Sequence, residues 1–165
     1  MLKILATKWS KNQHNLKKYF EHNYKQLNNF SYKDIVKITF EQIFNCDCED
    51  VWDKLNLEKV IEIDHGDYQG TLIFVIPFNT YQPGPSQYLM TYLSYGSCSC
   101  CDTLQSLQAY YFDDDTYDEV VRKRKEQISG YMSLCKDILM NTIKPYNTGW
   151  RYDAGWDEIE WDGDF

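Results

Sequence analysis

No stretch of this chain approaches the roughly 18 consecutive apolar residues that a membrane-spanning helix requires. The opening Met1-Leu2-Lys3-Ile4-Leu5-Ala6 runs into Lys8 and Lys11 too soon to serve as a signal peptide. Internal repeats are absent, and so is low-complexity sequence apart from the acidic C-terminal end. Solenoids and fibrous proteins are thereby excluded. No motif specific to one reaction occurs. Basic residues all but disappear after residue 145, where Arg151 stands against six acids.

What is present suits one domain. The 165 residues are 43% hydrophobic and 16% aromatic, enough for a single well-filled core and short for two. With 14 Tyr and 5 Trp, large rings carry much of the burial, and many need partners for their polar ends. The net charge of −8 is unevenly spread: +6 over residues 1–40, −9 over 41–145 and −5 over 146–165. That balance argues against direct nucleic-acid binding and for a partner that is itself basic. Six cysteines would form a disulfide framework in a secreted chain; without a signal peptide, the expectation is a reducing cytoplasm with thiols free or metal-bound.

The apolar pattern changes period along the chain. Residues 2–5 read as an edge strand or packed terminus. Leu16, Tyr19, Phe20, Tyr24 and Leu27 fall at helical spacing over residues 11–27. Ser31 and Asp34 form a capping box opening a second helix, which Cys46-Asp47-Cys48 ends. A turn or two over residues 49–55 presents Val51, Trp52 and Leu55. Residues 60–63 alternate, 64–70 have turn chemistry, and 71–78 are almost continuously apolar, as in a strand buried on both faces. After Pro83-Gly84-Pro85, residues 87–95 form a third strand. Connections this short predict an antiparallel meander with 71–78 in its centre. Asp102 and Gln105 then cap a helix reaching Tyr111, and a long helix spans 117–143, with Asp118 and Glu119 four residues before Arg122 and Lys123. Cys135 lies on its apolar seam. The expected fold is α+β: a three-stranded antiparallel meander with helices before and after it in sequence, packed on the sheet. Residues 1–145 make the domain and 146–165 an irregular acidic, aromatic-rich tail.

Three constellations bear on function. Cys98 and Cys101 form C-x-x-C at a strand-to-helix junction, where backbone N–H groups stabilise a thiolate. Adding Cys46 and Cys48 gives four soft ligands, the donor set of a structural zinc, while small Cys and Ser side chains also simply suit a tight loop. His65 with Asp64 and Asp67 suits a metal or, equally, a bulged turn. The tail interleaves Trp150, Tyr152, Trp156, Trp161 and Phe165 with acids. Rings provide contact area and charge steers encounter, so these five are expected to meet a basic partner. The Asp164-Phe165 end also resembles the acidic, Phe-terminated tails of bacterial and phage single-stranded-DNA-binding proteins, which implies a nucleic-acid binder restrained by its own tail.

Two segments, Gly66-Asp67-Tyr68-Gln69-Gly70-Thr71 and the eleven residues from Tyr95-Gly96-Ser97-Cys98 through Asp102-Thr103-Leu104-Gln105, resemble a family of uncharacterised bacteriophage and prophage proteins. The resemblance covers about 60–111. Its members often carry Gly at the position of Cys100, so it implies no shared role for that thiol. It implies an origin rather than an activity: a small phage protein working in the bacterial host cytoplasm. Together with the acidic charge, the expectation is an accessory protein that binds and inhibits a host protein, such as a nucleic-acid-handling defence complex.

Overall fold

The structure, a computed structural model, describes residues 2–144. The expected tail and its five aromatic contact residues lie outside them. The chain forms helix α1 (Leu2–His22), a 3-10 segment (Tyr24–Asn29), α2 (Tyr32–Ile43), three single 3-10 turns, strands β1 (Ile61–Gly66), β2 (Gly70–Pro77) and β3 (Tyr88–Tyr95), the short α3 (Thr103–Ser106) and the long α4 (Tyr117–Met140). It is the expected α+β fold.

The first helix begins earlier than the short apolar run suggested. Leu5, Asn12, Leu16 and Phe20 are buried together, and Leu5 precedes Leu16 by three helical turns, so Leu5 extends the same face and residues 2–5 are helical instead of forming a strand. Asn12 donates from Nδ2 to the carbonyl of Ile43 at 3.1 Å, satisfying one of the orphan acceptors at the end of α2. Ser31 and Asp34 make the reciprocal capping box that starts α2, whose inner face is Ile35, Val36, Thr39, Phe40 and Ile43.

A second capping box, Thr116 with Glu119, starts α4. Glu119 is occupied there, so Lys123 turns back to Asp115 at 2.6 Å and Arg122 pairs forward with Glu126 at 3.0 Å. The expected pairing of these cations with Asp118 and Glu119 is replaced. Tyr131 ties α4 to the N-terminal half: its hydroxyl donates to Leu27 O at 2.7 Å and its ring lies 5.4 Å from that of Phe20. Cys135 is fully buried, as its place on the seam predicts.

The sheet is antiparallel in the order β1-β2-β3. Leu72, Phe74 and Ile76 of β2 and Leu89, Thr91 and Leu93 of β3 are buried, and Thr91 donates to Ile138 O of α4 at 2.7 Å. Burying each large side chain on this face contributes roughly 1.5–3 kcal/mol. The opposite face carries Ile73, Val75, Met90 and Tyr92, none of them fully buried. Burial of β2 on both faces, expected from its unbroken apolar run, is therefore not realised: the helices share one side. Beyond α4, Ile143 exchanges both backbone hydrogen bonds with Met90 at the edge of β3. Among the described residues, that leaves β1 as the free edge of the sheet. No helix among the described residues is long and apolar enough to cross a membrane.

Candidate functional site

The β1–β2 hairpin turns on two glycines that face each other in register. A Cβ on Gly66 would lie 2.6 Å from the Gly70 Cα, and one on Gly70 would lie 2.8 Å from the Gly66 Cα. Only glycine allows the strands so close, and the tip Asp67-Tyr68-Gln69 is thereby thrown into solvent, with Tyr68 83% exposed. All six residues of β1 are exposed. Register puts Ile61, Ile63 and His65 on the outer face and Glu62 and Asp64 on the helix-side face, opposite Phe74 and Leu72. The helices stop short of β1, so both carboxylates stay in water.

Tyr95 reaches across the central strand at Gly70, its register partner, and donates to Asp64 Oδ1 at 2.7 Å. That bond, with burial and the negative charges of Asp64 and Asp67, holds its phenol above the ordinary tyrosine range. An open cleft of about 550 Å³ lies beside it. Glu62, Asp64 and Asp67 stand on one side, Tyr68 and Tyr95 supply aromatic surface, and the loop after β3 with α3 makes the far wall. None of the three carboxylates forms an ion pair among the described residues.

The far wall is anchored by Asp102, a buried carboxylate. Its Oδ1 accepts from Gln105 N at 2.7 Å and from the Tyr32 hydroxyl at 3.2 Å, and its Oδ2 accepts from Gly96 N at 3.2 Å. Tyr32 in turn accepts from Leu104 N at 3.0 Å. Burial, reinforced by the Asp102 charge, pushes the Tyr32 phenol up to about 12. Asp102 thus performs the capping role its position predicts. The helix it caps is one turn long and ends at Ser106, well before Tyr111.

Within this wall the C-x-x-C pair is assembled. Cys98 and Cys101 Sγ atoms are 2.8 Å apart, both residues are exposed, and Cys98 N donates to Cys101 Sγ at 3.2 Å. The Cys98 thiol is held below the ordinary range, first by the hydrogen bond from Cys101 and then by backbone N–H groups of Cys100 and Cys101. Cys46 and Cys48 sit elsewhere, where α2 ends against α1. Their thiols donate to Gln42 O at 3.0 Å and Phe44 O at 3.1 Å. Burial and the neighbouring Asp47 charge push the Cys46 thiol up. Burial also opposes ionisation of Asp47, but hydrogen bonds from Lys8, Lys11 and Asn12 outweigh it and bring that carboxyl down to about 2. This corner is an ion-paired helix joint. Among the described residues, no three His, Cys, Asp or Glu form a metal-holding group, so the four sulfurs expected around zinc are not gathered, nor are Asp64, His65 and Asp67. His65 points to the outer face, away from Asp64.

Sequence reasoning saw Asp64 and Asp67 as turn residues and missed Glu62, Tyr68 and Tyr95 as one surface. The signal was present in the Ile61-Glu62-Ile63-Asp64 alternation, whose acids fall on one face of a strand. No protein-family model, curated protein or solved structure matches this chain.

Proposed function

We propose that the protein is a binding module whose free sheet edge takes an extended, basic segment of a partner protein. One observation carries the reading: among the described residues, β1 is hydrogen-bonded on one side only, exposed along its whole length, and flanked by three carboxylates without counterions. An unpaired edge offers a row of backbone donors and acceptors that an incoming strand satisfies. The partner's alternate residues would be apolar beside Ile61 and Ile63, and Lys or Arg facing Glu62, Asp64 and Asp67. A second copy is disfavoured, because antiparallel pairing of two β1 strands about Ile63 sets Glu62 directly opposite Asp64, like charge against like.

The phage resemblance makes the partner a host protein, and inhibition follows if the basic segment it occupies is one that handles nucleic acid. Capture from bacterial lysate tests this with two baits, wild type and Glu62→Lys/Asp64→Lys. A stoichiometric basic protein held by wild type and lost from the charge-reversed bait supports the proposal. Equal retention by both, or none by either, overturns it.

A further inference from the structure

The geometry points to Cys98 and Cys101 as a reversible dithiol that exchanges electrons with low-molecular-weight disulfides such as oxidised glutathione. This is separate from strand binding at β1. The two sulfurs are already 2.8 Å apart, against about 2.05 Å in a disulfide, so bond formation asks little of the backbone. The turn that holds them is closed by hydrogen bonds from Cys101 N and Asp102 N to Cys98 O at 2.9 and 2.8 Å. Its ends are fixed by Asp102, which binds Gly96 N and Gln105 N together. Gly96 is required underneath: a Cβ there would lie 2.6 Å from the carbonyl oxygen of Cys101. A loop packed for bulk alone would hide its sulfurs, whereas these face solvent.

Cys98 is the attacking sulfur. Cys101 Sγ is tied into the turn, accepting from Cys98 N and donating to Cys98 O, both at 3.2 Å, and the Cys101 hydrogen bond with backbone N–H groups favours the ionised Cys98 thiol. The Cys98 thiolate, its proton gone to solvent, attacks one sulfur of the small disulfide and forms a mixed disulfide. The departing thiolate takes up a proton. Cys101 then loses its proton and attacks Cys98 Sγ, expelling the second small thiol. Two protein thiols become one disulfide, and one small disulfide becomes two thiols, with two electrons transferred. Cys100 is also exposed but has no sulfur partner among the described residues, and Cys46, whose thiol is pushed up, is a slow internal reference.

The test equilibrates the full chain in glutathione buffers of graded ratio, quenches with acid and an alkylating reagent, and maps the peptides. The expected result is one two-electron transition that converts Cys98 and Cys101 to a mutual disulfide and leaves Cys100 alkylated. Cys100→Ser keeps the transition, and Cys101→Ser traps glutathione on Cys98. In the reduced protein near neutral pH, Cys98 alkylates at least about tenfold faster than Cys46. Circular dichroism of each sample establishes that the chain is folded, and the wild-type map needs no substitution. Cys98 and Cys101 remaining thiols in excess oxidised glutathione, a bridge to Cys100 instead, or glutathione trapped on Cys101 in preference to Cys98 would each overturn the assignment.

Discussion

The Tyr95 hydroxyl meets Asp64 Oδ1 at 2.7 Å across the full width of the central strand, joining the outer strand β1 to the strand that leads into the cysteine loop. The contact exists because Gly70 leaves room between them. It unites two glycine-flanked segments, one at each end of the sheet's path, into the walls of one acidic cleft.

That relationship sets the titration of Tyr95. Its phenol ionises above the ordinary tyrosine value because it donates to a carboxylate and sits near the charges of Asp64 and Asp67. In Asp64→Asn the largest cause is removed, and the titration midpoint moves down towards that of a free tyrosine. NMR titration of the Tyr95 ring carbons reads the change, and an unaltered midpoint contradicts the contact.

Asp102 holds the opposite wall. Replacing it by Ala strands three donors, the Tyr32 hydroxyl, Gly96 N and Gln105 N, at an expected cost of roughly 2–4 kcal/mol. Denaturant unfolding measures the loss. Amide exchange over 96–105 accelerates more than in the α1–α2 core. Tyr32→Phe keeps the carboxylate and its two backbone bonds, so it costs less, about 1 kcal/mol.

Three buried groups make the fold sensitive to alkali. Burial pushes the phenols of Tyr32 and Tyr131 and the thiol of Cys135 up to about 12. Each ionises more readily in the unfolded chain, so its contribution is intact below the ordinary value, 9.0 for the thiol and 10.0 for the phenols, and is lost as pH rises towards about 12. The effect is on the order of 3 kcal/mol for each phenol and 4 kcal/mol for the thiol. Denaturation midpoints measured between pH 8 and 12 should hold up to about pH 9 and then fall, and Tyr131→Phe should flatten the upper part of that fall. A stability curve level through this range contradicts the burial of these groups.

The fold was legible wherever local chemistry decided it. Ser31 with Asp34 and Asp102 with Gln105 mark helix starts by hydrogen bonds made within four residues, and the short links between strands force a meander. Other features depend on distant neighbours. The apolar run of β2 reads identically whether one or both faces are covered, since side chains record their own hydrophobicity and not the number of helices available to cover them. Residues 2–5 were ambiguous for a similar reason: four residues cannot display a helical period, and only the burial of Leu5 in line with Leu16 reveals it. At the site, Cys98 and Cys101 announced themselves by spacing. Glu62 and Tyr95 did not, because their association is created by pairing across β2.

The central claim is that β1 accepts a basic strand. Amide hydrogen exchange of the full chain, with and without a peptide that alternates Ile and Lys, tests it most directly. The account predicts added protection concentrated in alternate amides of Ile61–Gly66, affinity that weakens with salt, and a loss of about tenfold or more in Glu62→Lys/Asp64→Lys. Unchanged exchange in β1 at saturating peptide, or equal binding by the charge-reversed protein, would contradict it.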